Sequence, residues 1–289
     1  MRGAFVSNAF LRGGKFEEPA QMFSRAASDA GIGLECVTNL DLTVPIGDGD
    51  AVRDVIGDAD FILFWDKDVR CASNLELCGF QVFNSSDCIA TCDDKSATHI
   101  ALQSHGVRSI ETVVCPLSFS GYDDLSFLDR TVETLGLPMV VKDCYGSFGQ
   151  QVHLARTREE LESLLGGPFV PRILQRYIEC GGTDIRVEVV GGRAVAAMRR
   201  TAPEGDFRSN ATIGGTIAAC EPTEDVEDLA IMACEAVGAD FAGVDIIVTD
   251  DGPVVCEVNS NAHLRNLLDC TGIDVSPMIL DHVARAVRG

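Results

Sequence analysis

Residues 242–259 read AGVDIIVTDDGPVVCEVN. Two apolar runs, Ala242–Val248 and Val254–Val258, flank the turn-forming Asp250-Asp251-Gly252-Pro253, so the stretch reads as a β-hairpin. Strand alternation puts Val244, Ile246, Val254, Cys256 and Val258 on an apolar face. Glu257 and Asn259, two residues apart, then share the other face, and Asp245 lies across the turn from them. Three oxygen-bearing side chains on one face suit magnesium, a hard cation that takes oxygen ligands. A solvated polar face would give the same pattern, and spacing alone leaves both readings open.

Working outward, a second hairpin is expected from Arg186–Val190, the Gly191-Gly192 turn and Ala194–Met198. Helical spacing marks Thr223–Val237, ending at Gly238, and a closing helix over Met278–Val287. Upstream, Leu137–Lys142 reads as a strand, Arg158–Leu165 as a helix stopped by Gly166-Gly167-Pro168, and Ser96–His105 as a helix capped by Gly106. The first 92 residues alternate: strand Ala4–Val6, helix Phe16–Gly31, strand Leu34–Val37, the buried run Asp60–Trp65, strand Gln81–Asn84. That order predicts a parallel α/β lobe. The whole reads as an α/β protein with α+β lobes: an N-terminal α/β domain (1–92), a central lobe with a glycine loop (93–174) and a β-rich C-terminal lobe (175–289).

The chain has 289 residues, 46% hydrophobic and 23% charged, enough for a sizeable core and ordinary for a globular protein. Against 44 acidic residues stand 23 basic ones, a net charge of −21. Such a surface repels phosphate backbones and anionic lipid, which argues against nucleic-acid and membrane partners. No apolar run approaches a membrane span, and the opening MRGAFVSNAFLRGG, broken by Ser7, Asn8 and Arg12, does not read as a secretory signal; the expected location is the cytoplasm. The twelve cysteines are scattered without a CxxC pair, so they read as reduced thiols and not as a zinc site.

Two more groups carry chemistry. Lys142 ends a strand and is followed by Gly146-Ser147-Phe148-Gly149, which could lay backbone N–H groups and an ammonium on phosphates, or be a plain turn. Arg199-Arg200 precedes Gly205–Asn210 (GDFRSN) and Gly214-Gly215. Arginines suit bidentate binding of carboxylate or phosphate, and equally a solvated loop paired with its own acids. The chain has no GxSxG, HExxH, HRD or DFG, and its five histidines are dispersed. This suits chemistry in which a nucleotide supplies the electrophile and the protein positions charge.

In this order AAMRR (196–200), EGDFRSN (204–210), GG (214–215), AGVDII (242–247) and CEVN (256–259) resemble the RimK-like ATP-grasp ligases. DDK (93–95), PMVVK (138–142), GSFG (146–149), QRYI (175–178) and GGTDIR (181–186) fit the same pattern, so the resemblance covers about residues 93 to 260. It implies an ATP-grasp fold preceded by a parallel α/β pre-ATP-grasp domain. It also implies ATP and Mg2+ as cofactors, with Mn2+ as an alternative metal. Lys95 and Lys142 would contact the phosphates, with Gly146, Ser147 and Gly149 closing over them. Gln175, Arg176, Tyr177 and Ile178 would form the adenine hinge, largely through backbone groups, and Asp184 would lie near the ribose. Arg208 and Asn210 would face the transferring phosphoryl group, and Asp245, Glu257 and Asn259 would bind magnesium. The implied reaction joins a small carboxylate to an amine through an acyl phosphate, with an amino acid as one substrate. A homo-oligomer is implied by the resemblance alone. After EVN such ligases often continue with a Ser-Pro-Gly-like turn, where this chain has Ser260-Asn261-Ala262-His263-Leu264-Arg265-Asn266. Asn261, His263, Arg265 and Asn266, with Arg199, are expected at the substrate, and this departure leaves open whether glutamate is the amino acid added. A small-molecule phosphotransferase and a non-catalytic nucleotide sensor would use the same nucleotide site.

Overall fold

The computed structural model describes the chain except residues 12, 147–148 and 210–213 and the side chain of Lys15. The N-terminal lobe runs β1 (Arg2–Ser7), α1 (Gly14–Asp29), β2 (Gly33–Thr38), α2 (Gly49–Ile56), β3 (Phe61–Phe64), α3 (Val69–Leu77) and β4 (Val82–Phe83). Its parallel sheet has the order β2-β1-β3-β4. Every residue of β3 is buried, as expected for a parallel strand covered on both faces. Gly3 on β1 is required there: a Cβ would meet the Phe61 ring at 2.3 Å.

Next come α4 (Ser86–Asp93), α5 (Lys95–Ser104), β5 (Thr112–Val114), α6 (Phe127–Leu135), β6 (Met139–Asp143), β7 (Val152–Ala155), α7 (Arg158–Leu165) and β8 (Arg172–Arg176). The four strands form an antiparallel central sheet, β5-β8-β6-β7. The third part holds β9 (Thr183–Val190), β10 (Arg193–Thr201), β11 (Thr216–Ala219), α8 (Glu224–Val237), β12 (Phe241–Thr249), β13 (Gly252–Asn259), α9 (Leu264–Thr271) and α10 (Ser276–Arg288). Its sheet order is β11-β10-β9-β12-β13. Both expected hairpins, β9–β10 and β12–β13, are present. Residue 174, where the central lobe was expected to end, lies inside β8, which stays paired with β5 and β6 through Arg176.

Packing explains which lobes stay together. Phe5, Phe23 and Phe61 of the first lobe share one core with Phe241, Leu264 and Ile279 of the last, and Trp65 stacks on Phe241 at 5.6 Å. Buried Asn84 staples the seam, donating to the carbonyls of Phe241 (2.9 Å) and Ser260 (3.1 Å) and accepting from Asp240 N (2.8 Å). Helices α4 and α5 pack onto α8 and the third sheet. The central sheet has a core of its own, built on Leu128, Leu135, Met139, Leu161 and Leu174. The first and third lobes thus form one body, and a cleft opens between it and the central sheet.

Candidate active site

A cavity of about 880 Å³ occupies that cleft. Its floor is the polar face of the third sheet. Asp245 on β12 pairs in register with Glu257 on β13, and Gly243 with Asn259. The ladder slips between Asp245 and Ile246, opposite Val255 and Glu257. That bulge changes the parity expected from simple alternation. Val255 and Val258 enter the core, while Cys256, Glu257 and Asn259 all line the cleft. Bulges commonly re-aim side chains beside active sites.

Behind the carboxylates lies a buried ion network. Arg186 on β9 grips Asp245 with Nε at 2.7 Å and Nη2 at 2.8 Å. Arg200 on β10 grips Asp184 at 2.7 and 2.5 Å and reaches Asp245 at 2.8 Å. Burial pushes the Asp245 carboxyl up, but Arg186 and Arg200 outweigh it and hold it down at about 2. The anion therefore persists at the floor of the cleft.

Glu188, two residues beyond Arg186 on the same face of β9, behaves oppositely. It is 3% exposed, and its Oε1 has no hydrogen-bond partner among the described residues. Burial pushes its carboxyl up to about 7. A carboxyl whose pKa is raised on folding stabilises the protein below its unfolded value, and that contribution is lost as pH rises from about 4.5 to about 7. The amount is about 3 kcal/mol. Glu188→Gln is expected to raise Tm by several degrees at pH 8, to leave it unchanged at pH 4, and to flatten the intervening slope in thermal melts.

Cationic side chains stand on the other walls. Asp94 caps α5 by accepting from Ser96 N (2.8 Å), which fixes Lys95 in the helix's first turn. Lys95 Nζ lies 3.5 Å from Glu257 Oε1 and 3.2 Å from the Gly146 carbonyl. Lys142 from β6 is buried in the same cleft, with Nζ 3.6 Å from Cys256 Sγ. Arg208 pairs with Asp206 (2.7 Å) and donates to the Gly149 carbonyl (3.0 Å), tying its loop to the glycine loop. Ser147 and Asn210 lie outside the described residues.

Gln175 and Ile178 line the cleft where β8 ends. Gln175 Nε2 sits 2.8 Å from His99 Nε2 and donates to Thr112 Oγ1 at 2.9 Å. Burial, then Lys142, push His99 down to about 3, so its imidazole is neutral. The side chains of Arg176 and Tyr177 are engaged outside the cleft, Arg176 with Glu111 (2.6 Å) and the Tyr177 ring edge-on to Phe207, and a hinge made by backbone groups does not depend on them. Asn261, His263 and Asn266 line the cleft. Arg199 and Arg265 do not, which corrects their expected placement. Arg199 is exposed on the face of β10 opposite the buried Arg200, and Arg265 is exposed and paired with Asp269 at 3.0 Å. Strand alternation applied to Arg199-Arg200 would have identified Arg200 as the inward residue. Arg186 and Glu188 show the same alternation against apolar Ile185, Val187 and Val189.

The donor set fits magnesium. Asn259 Nδ2 faces Gly243 O (3.4 Å) and Asp245 Oδ2 (3.5 Å), which turns its amide oxygen the other way. Asp245 has about four lone-pair sites; the two arginines take three and Asn259 Nδ2 approaches the fourth, so a cation there would draw on Asp245 by displacing that long contact. Two carboxylates and an amide oxygen are hard oxygen donors of the kind taken by a cation that keeps waters and substrate phosphates.

A model of the RimK-like ATP-grasp domain matches residues 92–283. N-acetylaspartylglutamate synthase A from Homo sapiens is 36% identical over 221 residues, 75% of this chain and 56% of that protein. A probable alpha-L-glutamate ligase from Xanthomonas euvesicatoria pv. vesicatoria is 38% identical over 218 residues, 74% of this chain and 72% of that one. The matched part thus spans little more than half of the human relative. The crystal structure of a RimK domain ATP-grasp protein from Sphaerobacter thermophilus superposes with a TM-score of 0.74 at 22% identity, over 98% of this chain and 99% of that one. With the ordered motifs, the three-sheet architecture and a family match over two thirds of its length, the chain belongs to the RimK-like ATP-grasp family.

Proposed function

We propose that this chain is an ATP-dependent, ADP-forming ligase that joins a small carboxylate to an amine through an acyl phosphate, with an amino acid as one substrate. The observation that carries the reading is the convergence in one cleft of two phosphate-seeking lysines, Lys95 and Lys142, with the carboxylates Asp245 and Glu257 and the loop arginine Arg208. Two cations opposite two fixed anions suit a nucleotide triphosphate with its metal.

Magnesium, held by Asp245, Glu257 and Asn259, would screen the phosphate oxygens and stabilise charge on the transferring group. Lys95, on the first turn of α5, and Lys142 hold the phosphate chain between the central sheet and the floor. Gln175 and Ile178 border the base, and Asp184, fixed by Arg200, borders the sugar. Arg208 faces the γ-phosphoryl group as the substrate carboxylate attacks it. The new acyl–oxygen–phosphorus linkage then yields to the amine, which forms the C–N bond and expels phosphate. The Arg208 bond to Gly149 O couples the glycine loop to this arginine and would keep water from the acyl phosphate.

Among the described residues no helix is long and apolar enough to cross a membrane. All twelve cysteines are unpaired thiols, which supports a reducing compartment, the cytoplasm. The test is a screen of carboxylate and amine pairs with Mg-ATP, reading ADP release and product mass. An amide product with equal ADP and phosphate is expected. A phosphorylated substrate as the final product would favour the phosphotransferase, and nucleotide binding without any turnover would favour a sensor.

A further inference from the structure

The cleft extends past the metal-binding face into an arm between the N-terminal lobe and the turn at 260–266. Asp66, just beyond β3, lies in this arm and is only 6% exposed. Its carboxylate is wrapped by neutral donors: Asn8 Nδ2 at 3.2 and 2.9 Å from its two oxygens, and the backbone N–H of Lys67 at 2.7 Å. No lysine or arginine nitrogen among the described residues pairs with it. Lys67 turns to Asp93 instead (2.6 Å), and Arg70 is exposed at the rim. Burial pushes the Asp66 carboxyl up, as it does for an anion that lacks a counter-charge.

A second acceptor lies beside Asp66. Asn261 Nδ2 donates to the Asp66 carbonyl at 2.7 Å. Turning the amide round would set oxygen against oxygen, so Oδ1 faces away from Asp66 O. That oxygen is buried and has no partner among the described residues. Trp65 and Phe16 add aromatic rings to the arm. A buried carboxylate with neutral donors and no lysine or arginine partner among the described residues is what an ammonium group requires.

We propose that Asp66 is the counter-ion for the ammonium of an amino acid whose carboxylate is the group activated by ATP. Asn261 follows Asn259 by two residues, so their Cα atoms are at most about 7 Å apart. An amino acid in this cleft would turn its carboxylate toward Glu257 and Asn259 and its ammonium toward Asp66, all of which line it. The attacking amine then enters separately. The role assigned to the carboxylate rests on the ligase reading. Recognition of the ammonium does not, and it can be measured without turnover.

The experiment is calorimetric binding to the full chain saturated with magnesium and a non-hydrolysable ATP analogue. The probes are the common amino acids, each beside its Nα-acetyl twin. Free amino acids are expected to bind and their acetylated twins to bind at least tenfold more weakly. Asp66→Asn, close to isosteric, should weaken the free amino acid by about a hundredfold, erase the difference between twins and leave nucleotide affinity unchanged. Acetylated twins that bind as well as the free forms overturn the assignment, and this comparison needs no variant. Unchanged amino-acid affinity in Asp66→Asn, or no amino acid binding at all to the nucleotide-loaded chain, overturns it too. If the ammonium site is verified but no amide ever forms, only the ligase reading falls.

Discussion

Glu257→Gln is expected to lower kcat for ADP release by about a thousandfold, comparable to deleting a charge-stabilising group at other transfer sites. Gln keeps the shape of the side chain and one oxygen but removes the negative charge. Two consequences follow from the geometry. A metal held at the proposed site would lose the carboxylate least encumbered by protein, since Asp245 already serves two arginines. Lys95 loses the anion 3.5 Å from its ammonium, which helps aim it into the cleft. Stability should hardly move, because the Glu257 side chain is 30% exposed and such partly solvated pairs contribute within about 1 kcal/mol. The expected signature is thus a collapse in kcat with a higher magnesium requirement and an unchanged Tm. Steady-state ADP release across a magnesium titration, beside a thermal melt, reads both. Unchanged ATP consumption would remove Glu257 from the metal site.

Much of the architecture was legible because it rests on periodicity and punctuation. The β9–β10 and β12–β13 hairpins are bracketed by Gly191-Gly192 and by Asp250–Pro253, and α7 matches the run Arg158–Leu165 residue for residue. Less visible were the short elements. Helices α2, α3, α4 and α9 have eight or nine residues, little more than two turns of apolar pattern. The capping residues Asp48, Asp68 and Ser85 do carry local signals for three of them. At the site, residue types were readable but their directions were not. The slip at Asp245 reverses the parity of Cys256, and no turn residue marks it. Arg265 lies just inside α9, where a single turn decides whether a side chain meets the cleft or its neighbour Asp269. Asp66 gave no signal at all: its meaning depends on Asn8 and Asn261, 58 and 195 residues away.

Arg200→Met should be the most destabilising single change at the site, by about 3–5 kcal/mol at pH 7, the range for breaking one side of a buried ion pair. The variant strips Asp184 of its bidentate partner and Asp245 of one of two, while both carboxylates stay buried. Methionine fills much of the volume, so charge and not a cavity dominates. For a chain of this size the loss corresponds to a Tm drop of about 10 °C. Lysine should not rescue fully, because one ammonium cannot grip two carboxylates as a planar guanidinium does. The pH dependence separates charge from packing. Asp245 is held at about 2 in the fold, below the ordinary aspartate value of 3.8. It therefore contributes stability above that ordinary value, and loses it as pH falls toward 2, by about 2–3 kcal/mol in all. Removing Arg200 takes away part of that contribution, so the variant's deficit should be largest at pH 7 and shrink near pH 3, where the wild type is losing the same interaction. Thermal melts of both proteins at the two pH values decide it: a deficit of equal size at pH 3 would assign the damage to packing and not to the uncompensated carboxylates.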